Sequence, residues 1–441
     1  MDHPYEVRRV GVGDVEDGAM TRRAVITGIG VVAPGGIGTK QFWSLLTAGT
    51  PATRAISFFD ASPFRSQVAA ECDFDPAAAG LSRQEVRRMD RFAQFAVVAA
   101  REAMADSGLA AGDSDPARTG VAMGSAVGST MSLDREYSVV SDEGRRWLVD
   151  DAHAVPQLYN YYVPSSLAAE VAWVAGAEGP TSVISTGCTS GIDVVCHAAD
   201  LITDGSADVM IAGASDAPIS PITVACFDAI KATTPRNDDP GTASRPFDRS
   251  RNGFVLGEGA AVFVIEEEQR ARRRGAHIYA TIRGFATRCN AFHMTGLRPD
   301  GKDMAEAIRA ALDEARLDRT AIGYVNAHGS ATKQNDIHET AAVKLSLGEH
   351  AYATPVSSIK SMIGHSLGAI GALEIAASAL VIENSTIPPT ANLHEPDPAC
   401  DLDYVPLVAR EQRTDVVLSV GSGFGGFQSA ILLAHPERVR G

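Results

Sequence analysis

The feature that most constrains the fold is an internal repeat, because three segments of the first half of the chain recur in the same order in the second half. The matched pairs are 118–126 with 322–331, 182–191 with 358–368, and 207–215 with 414–422. Each copy is an apolar run that ends in glycines or small polar residues, the pattern of a β-strand followed by a loop or helix. Any two strand–helix units look alike, but the shared order favours a duplicated α/β chain with a mostly parallel sheet in each half.

Two helices that follow repeated segments have the composition of core helices. The first carries apolar residues at near-helical spacing: Ile192, Val195, Ala199 and Ile202. The second, 368–380, is apolar nearly all round except for Glu374, and a buried carboxylate needs a partner. Strands this apolar must be covered on both faces. We therefore expect the two halves to pack together with their loop ends around one shared site.

The 441 residues divide at the repeat into an N-terminal half, 21–270, and a C-terminal half, 271–436. Residues 1–20 carry a net acidic charge and no clear periodicity. They also lack the apolar core of a signal peptide. We expect them to form a flexible N-terminal tail.

Composition excludes several classes of protein. The formal net charge of -15 argues against a nucleic-acid partner. No run reaches the ~20 uninterrupted apolar residues that a membrane span requires. The six cysteines are far apart and form no CxxC pair, a usage typical of a reducing compartment. These features predict a soluble cytoplasmic α/β protein with no membrane partner.

Cys188 is the strongest candidate nucleophile. It lies between a strand and a helix in the segment 185–191, STGCTSG, among polar residues and glycines. Backbone N–H groups at a helix start lower the pKa of a thiol and can hold an oxyanion, so we expect Cys188 to alkylate before the other five cysteines. Those five fit the ordinary role of small core residues. A hydrolase elbow would place its nucleophile at Thr189, the centre of Gly187–Gly191.

Two histidines and a lysine belong to the other repeated segments. His328 ends a strand in NAHGSAT, and His365 and Lys360 lie in SIKSMIGHSLG. We expect both imidazoles to face the site that holds the thiol, and Glu374 is the candidate counter-charge for Lys360. A zinc site made by the thiol and the imidazoles is the alternative, but the spacing of known zinc motifs is absent. The glycine-rich segment 421–426 predicts a close backbone approach.

Four motifs together, TGCTSG, NAHGSAT, SIKSMIGHSLGA and GSGFGG, resemble the signature set of β-ketoacyl synthases over 22–435. The segments 224–239 and 293–298 resemble the ketosynthase α subunits of bacterial type II aromatic polyketide synthases. The resemblance implies a thiolase-like fold, five-layered αβαβα from two duplicated halves. It also implies decarboxylative Claisen condensation of malonyl-acyl carrier protein with an acyl chain held as a thioester on Cys188.

The resemblance further assigns a role to each motif residue. His328, His365 and Lys360 serve decarboxylation and condensation, with Glu374 beside the lysine. Phe424 supplies a backbone N–H to the oxyanion hole and gates the site. Ser330 and Thr332 match the hydroxyl pair that binds the phosphopantetheine arm of the acyl carrier protein. The chain itself is expected to bind no cofactor and no metal.

The implied partners are the acyl carrier protein and a chain-length-factor subunit, which resembles this fold but lacks the nucleophilic cysteine and completes a heterodimer. A strand edge and the segment Tyr159–Val163 are candidates for the interface, although a buried loop explains that segment equally well. A fatty-acid-type β-ketoacyl synthase is the alternative function. A non-catalytic chain-length factor and a cysteine hydrolase are the other two hypotheses, and Cys188 argues against the former.

Two residues depart from the family pattern, and several arginines are candidates for the surface that docks the carrier protein. Ala331 replaces a usual Gly or Ser, and its methyl group is expected to narrow the pantetheine channel slightly. Asn252 stands where Asp is common. An acidic carrier protein needs a local basic patch on this acidic chain. The candidates are Arg87, Arg88, Arg91 and the cluster Arg270, Arg272, Arg273 and Arg274.

Overall fold

The computed structural model describes residues 22–110, 112–147 and 149–439. The tail expected at 1–20 lies outside the described residues. In the first half the strands are β1 Ala24–Ala33, β2 Gly36–Ile37, β3 Arg54–Ala55, β4 Val68–Ala70, β5 Thr119–Gly124, β6 Thr181–Ile184, β7 Val209–Asp216, β8 Leu256–Gly257 and β9 Gly259–Glu267. The helices are α1 Thr39–Ala48, α2 Arg83–Arg88, α3 Arg91–Ser107, α4 Thr130–Val140, α5 Leu158–Tyr162, α6 Ser166–Ala175, α7 Ser190–Thr203, α8 Pro221–Ala229 and α9 Glu268–Arg273.

The second half repeats this plan with fewer additions. Its strands are β10 Ala280–Cys289, β11 Tyr324–Asn326, β12 Val356–Ser357, β13 Thr386–Ile387, β14 Arg410–Glu411, β15 Val416–Gly423 and β16 Phe427–Ala434. Its helices are α10 Lys302–Ala315, α11 Lys333–Leu347, α12 Lys360–Ile363 and α13 Ile370–Asn384. The predicted boundary at 270/271 falls within α9, between the last long strand of the first half and the first strand of the second.

Strand order confirms the duplication. The first half has the order β6-β5-β7-β9-β1 and the second has β12-β11-β15-β16-β10. The strands within or immediately before the three matched segments therefore occupy equivalent places in the two halves. A short antiparallel pairing of β1 with β10, Val25 with Thr281 and Ile26 with Ala280, joins the two sets of strands.

The expectation of a mostly parallel sheet is wrong, because each half is mixed. β6, β5 and β7 are parallel, but β9 is antiparallel to both β7 and β1. The second half has the same arrangement around β16. A connection of only three residues, 424–426, joins β15 to β16, and a connection that short can only join antiparallel strands.

The layers follow from which helix faces are apolar. Helices α7 and α13 lie between the two sets of strands and share one core that includes Ile192, Val195, Leu373 and Ile375. Helix α3 with α6 covers the outer face of the first half, and α10 with α11 covers that of the second. The result is the five-layered αβαβα arrangement, as the resemblance implied.

Helix α13 is a long, almost entirely apolar helix and lies at the centre of the fold. The stretch Leu367–Asn384 is long and apolar enough to cross a membrane, but 89% of it is buried within the protein. Each of the residues from Ile370 to Ile382 is buried, so this helix is apolar all round because other elements surround it.

Candidate active site

Cys188 stands where the sequence predicts, at the start of a central helix. Strand β6 ends at Ile184, and a 3-10 turn, Gly187–Thr189, leads directly into α7. The thiol side chain is half-buried and lines a cavity of about 480 Å³. The same cavity is lined by His328, His365, Phe424, Ser330, Thr332, Asn252, Phe227, Phe254 and Leu367.

The two histidines reach the same cavity from the second half. His328 follows β11, and His365 follows α12, where its backbone N–H donates to the carbonyl of Val255 at 2.8 Å. Their rings stand edge to face, with centroids 5.3 Å apart and planes at 84°. Cys188 from the first half and His328 and His365 from the second half therefore line one cavity. This convergence is what the internal repeat predicts.

Both imidazoles lie in surroundings that favour the neutral ring. Burial lowers the pKa of His328 and of His365 well below the usual range, and the nearby Lys360 charge lowers both pKa values further. The Nδ1 atom of each ring is buried and has no hydrogen-bond partner among the described residues. A buried acceptor without a partner is less rare than a buried donor without one, so the proton of each ring belongs on Nε2.

Lys360 and Glu374 form a buried ion pair behind His328 rather than in the cavity. The Lys360 ammonium donates to the backbone carbonyl of His328 at 2.5 Å and to the Glu374 carboxylate. Burial raises the pKa of Glu374 to about 7, against the opposing effect of Lys360. Neither side chain lines the cavity. The predicted pairing is present, and its position makes both groups positioning residues.

The expectation of a low thiol pKa is wrong. Burial raises the pKa of Cys188 to about 11, although the Lys360 charge and the backbone N–H of Phe424 both lower it. Desolvation of the thiolate outweighs the helix-start N–H groups because the side chain lies in the floor of a cavity between two halves. Because Cys226 and Cys289 have exposed side chains, we now expect these two cysteines to be alkylated before Cys188.

Phe424 lies in the turn between β15 and β16, and the backbone before it passes close to the nucleophile. A Cβ atom added at Gly423 would stand 3.4 Å from the backbone nitrogen of Cys188 and 3.2 Å from the carbonyl of Thr186. The glycine-rich segment therefore makes the close approach that the sequence predicts. The Phe424 ring is partly exposed at the cavity, and its centroid lies 6.3 Å from that of the Phe227 ring.

The hydroxyl pair and the two departures from the family pattern lie together at one side of the cavity. Ser330 and Thr332 both line it, with their hydroxyls 3.0 Å apart. Ala331 is fully buried between them with a φ of 64° and does not line the cavity, so the expected narrowing is wrong. Asn252 accepts a hydrogen bond from the Thr234 hydroxyl at 2.6 Å through its side-chain oxygen. An Asp oxygen would accept the same bond.

Sequence reasoning missed Glu339, which supports the backbone of the first histidine. Its buried carboxyl accepts hydrogen bonds from the backbone N–H groups of His328 at 2.6 Å and Gly329 at 2.7 Å. Burial raises the pKa of Glu339 to about 8. The sequence signal for this role is the position of Glu339, seven residues beyond Thr332 on a helix that faces the core. A carboxyl group on such a face needs hydrogen-bond partners.

Most of the arginines proposed for carrier docking are paired with carboxylates of this chain. Arg88 binds Glu170, Arg91 binds Glu258, Arg270 and Arg274 bind Glu266, and Arg272 binds Glu268 and Glu437. These five arginines therefore form no basic patch of their own. The exposed cations at the cavity mouth are Lys231 and Lys333, which the sequence did not distinguish. Within the described ranges, no three His, Cys, Asp or Glu side chains are grouped as metal ligands.

Comparison with known proteins agrees with this geometry. Residues 21–271 match the family profile described as Beta-ketoacyl synthase, N-terminal domain, and residues 279–394 match Beta-ketoacyl synthase, C-terminal domain. The chain belongs to the β-ketoacyl synthase family. Members of this family are acyltransferases, and this chain is an enzyme of that class.

The position within the family follows from individual relatives. The chain is 74% identical to the oxytetracycline polyketide putative beta-ketoacyl synthase 1 of Streptomyces rimosus, over 95% of this chain and 98% of that protein. It is 70% identical to the corresponding granaticin protein of Streptomyces violaceoruber, over 95% of this chain and 100% of that protein. A 3-oxoacyl-[acyl-carrier-protein] synthase 2 of Coxiella burnetii is 41% identical, over 94% and 99%. The chain is a ketosynthase of the type II polyketide class.

Solved structures show the same fold. A type II polyketide ketosynthase in complex with its acyl carrier protein matches with a TM-score of 0.88 at 36% identity, covering 95% of this chain and 100% of that one. The ishigamide ketosynthase/chain length factor matches with a TM-score of 0.87 at 33% identity, covering 94% and 99%. The thiolase-like fold is thereby confirmed.

Proposed function

We propose that this chain catalyses decarboxylative condensation in type II polyketide biosynthesis, with malonyl-acyl carrier protein as extender and Cys188 as the carrier of the growing chain. The observation that supports the residue roles is the convergence of Cys188, His328 and His365 on one cavity. The substrates arrive on the phosphopantetheine arm of the carrier protein, and the chain itself holds no cofactor. The hydroxyls of Ser330 and Thr332 bind the polar groups of that arm.

In the first step the growing chain moves to the enzyme. The Cys188 sulfur attacks the thioester carbonyl of the acyl-carrier protein, and the oxyanion is held by the backbone N–H groups of Cys188 and Phe424. The bond to the carrier sulfur then breaks, and the proton of the Cys188 thiol ends on the departing carrier thiol. Because the pKa of Cys188 is about 11, proton loss accompanies attack rather than preceding it.

In the second step the malonyl group loses carbon dioxide. The bond to the carboxylate breaks, and its electron pair forms an enolate on the malonyl thioester. Two neutral imidazoles, each with a proton on Nε2, donate to the developing oxyanion from His328 and His365. A charged imidazolium would be a stronger donor, but burial and Lys360 oppose that charge. The enolate carbon attacks the acyl carbonyl, and the Cys188 thiolate leaves.

Lys360 and Glu374 act on this chemistry through His328. The ammonium is bound to the backbone carbonyl of that residue, so it orients the loop that carries the imidazole. Its charge also favours the thiolate that leaves Cys188 in the second step, since it lowers the pKa of that thiol. Both groups are positioning residues in this proposal.

A heterodimer with a chain-length-factor subunit is the quaternary structure we propose. Strand β6 is the end strand of its sheet, and in the described part of the chain it pairs on one side only, with β5. The segments that precede β6 in the chain expose large apolar side chains: Tyr137, Val139, Trp147, Val149, Tyr159, Tyr162 and Trp173. Trp147 is 96% exposed, which is unusual for an indole without a partner. Tyr161 is instead buried and donates to the carbonyl of Arg87, as a buried loop requires, whereas the exposed Tyr159 and Tyr162 stay candidates for the interface.

The proposal also covers the cellular location of the protein and the boundary between its two halves. We propose a cytoplasmic location, since all six cysteines are free thiols. We also propose that the functional halves meet at 270/271, so that one half carries Cys188 and the other carries His328, Lys360 and His365.

Incubation with labelled malonyl-acyl carrier protein and an acyl primer tests the function. Release of carbon dioxide together with chain growth is expected for the wild type. Cys188→Ala should retain decarboxylation and lose chain growth, whereas the exposed Cys226→Ala should retain both. Decarboxylation without growth in the wild type, under any partner condition, would contradict the proposal.

Co-expression with a chain-length-factor protein tests the partner. Full-length polyketide is expected only with that partner, and size exclusion should show a 1:1 complex. Trp147→Glu should weaken the complex, while Lys344→Glu, on the outer helix α11, should not. A self-paired chain that makes full-length product alone would favour the fatty-acid-type alternative.

A further inference from the structure

Asp216, the last residue of β7, connects the two halves beside the nucleophile. Its carboxylate accepts four hydrogen bonds. Three come from the loop after β5: the Ser125 hydroxyl at 2.6 Å and the backbone N–H groups of Ala126 at 2.9 Å and Val127 at 3.3 Å. The fourth comes from the backbone N–H of Gly368 in the second half, at 2.7 Å. Asp216 is fully buried and no cation of the described residues forms an ion pair with it.

The contact at Gly368 is close because no side chain intervenes. A Cβ atom there would stand 2.5 Å from the backbone nitrogen of Ala126 and 2.6 Å from the Asp216 carboxylate. A Cβ at Gly191, in the helix that Cys188 begins, would stand 2.3 Å from the backbone nitrogen of Ala372 and 3.0 Å from the carbonyl of Gly368. The start of α7 and the start of α13 therefore meet at the backbone level, and Asp216 holds the same junction.

Each side of this junction leads to a reacting group. Cys188 lies three residues before Gly191, and His365 lies three residues before Gly368. Leu367, which lies between His365 and Gly368 in the chain, lines the cavity and has a φ of 50°. Burial is the main cause of the raised pKa of Cys188, and the Asp216 charge also raises it.

We propose that Asp216 is a positioning residue that sets the distance and orientation of Cys188 in the first half relative to His365 in the second. This inference rests on the proposed function. The two carboxylate oxygens of Asp216 accept from every donor at the junction. An asparagine side chain in its place would have only one oxygen to accept these bonds. Loss of those bonds lets the two helix starts shift, and a shift of ~1 Å in a reacting pair costs up to about 10²-fold in rate.

The three partial reactions depend on this junction differently. Acylation needs Cys188 and the N–H groups beside it, and decarboxylation needs the two imidazoles, both of which belong to the second half. The Phe424 N–H that serves acylation also comes from the second half, but it lies on the turn between β15 and β16 and not at the Gly368 junction. Condensation is the step that needs the acyl thioester on Cys188 in register with an enolate held beside His365. A defect in register therefore slows condensation more than either half-reaction, whereas partial unfolding slows all three equally.

Asp248 provides a matched control, because it also connects the halves through a buried carboxylate. It accepts from the Ser250 hydroxyl and from the backbone N–H groups of Ser250, His394 and Glu395, at 2.7–3.0 Å. It does not line the cavity. Asp216→Asn and Asp248→Asn thus each weaken an inter-half contact of four hydrogen bonds, and only the first contact is next to Cys188. Asp248 also pairs with Arg245 at 3.7 Å, so its variant loses at least as much bonding.

The experiment measures all three rates in the chain with its partner present. Acylation of Cys188 by an acyl-carrier protein is followed by intact mass, decarboxylation by carbon dioxide release, and condensation by labelled product. For Asp216→Asn we expect condensation to fall at least tenfold and each half-reaction to fall less than threefold. Ser125→Ala, which removes one of the four bonds, should shift the same ratio in the same direction by less and serves if Asp216→Asn fails to fold.

The outcomes separate this proposal from the proposed function. If the wild type does not condense, the proposed function fails. If the wild type condenses and Asp216→Asn lowers the three rates in the same proportion as Asp248→Asn, the residue is merely structural and the positioning role is overturned. If Asp216→Asn misfolds and Ser125→Ala leaves the rate of condensation unchanged relative to the two half-reactions, the positioning role is likewise overturned.

Discussion

The imidazoles of His328 and His365 stand edge to face, with ring centroids 5.3 Å apart, although the two residues come from different repeated segments. Two buried neutral rings at this distance are the donor pair that we propose for the enolate oxyanion. Their neutrality follows from burial and from the ammonium of Lys360 behind them.

Removing either imidazole should affect one half-reaction selectively. We expect His328→Ala and His365→Ala each to lower malonyl decarboxylation by about 10²–10³-fold, the usual cost of one preorganised donor. Acylation of Cys188 should change much less in both variants. Carbon dioxide release and intact mass measure the two reactions. Unchanged decarboxylation in both variants would remove the donor role.

The pH dependence of decarboxylation should show no loss at mildly acidic pH from these rings. A lowered pKa means that the neutral form persists below the ordinary histidine range, so the donors stay intact as pH falls from 8 to 6. We expect less than a twofold change attributable to imidazole protonation. A decline centred near 6.5, present in the wild type and absent from His365→Asn, would show that a ring becomes charged.

Alkylation should report the raised pKa of the nucleophile. At neutral pH, iodoacetamide should modify the exposed Cys226 and Cys289 before Cys188, because only the thiolate reacts. The rate at Cys188 should rise about tenfold per pH unit between 7 and 9. Peptide mass spectrometry resolves the sites. Complete modification of Cys188 first at pH 7 would contradict a pKa of about 11.

Breaking the buried pair should destabilise the fold in a pH-dependent manner. Lys360→Met leaves Glu374 without its cation, which costs about 3–5 kcal/mol when the carboxyl stays charged. Burial raises the pKa of Glu374 above its value in the unfolded chain, so the folded variant takes up a proton as pH falls. The loss in the free energy of unfolding should therefore be larger at pH 8 than at pH 6. Urea unfolding measures it.

Lys344→Met is the control for that measurement. Lys344 pairs with Asp401 at the surface, and an exposed pair contributes at most about 1 kcal/mol. If Lys360→Met lowers the free energy of unfolding no more than Lys344→Met does at either pH, the buried pair contributes no more to stability than an exposed pair.

Ala331 offers a test of strain without a change in the cavity. Its φ of 64° is in the left-handed region, which costs a residue with a Cβ about 1–2 kcal/mol, while glycine adds unfolded-state entropy that offsets part of the gain. We expect Ala331→Gly to raise the free energy of unfolding by up to about 1 kcal/mol. Condensation rates should be unchanged, since the methyl group does not line the cavity. A large gain in rate would restore the idea that this methyl narrows the channel.

Much of the fold and site can be predicted from the sequence because the signals are local. The order of the repeated segments predicts equivalent strands, and the small residues around Cys188 and His365 predict loop ends. The run around Glu374 predicts a buried helix with a partner for its carboxylate. Each of these inferences depends on residues a few positions apart, where hydrophobic periodicity and turn chemistry are informative.

Tertiary structure alone decided the charges and the register. The pKa of Cys188 rises because another half of the chain covers a thiol whose neighbours in sequence would lower it. Arg91, a docking candidate from the sequence, is paired with Glu258, which is far away in sequence. Asp216 looks like an ordinary strand end until the loop at 125–127 and Gly368 surround it. Desolvation and pairing are set by neighbours in space, so the sequence determined which groups the site has, and packing determined their charge, their partners and their distances.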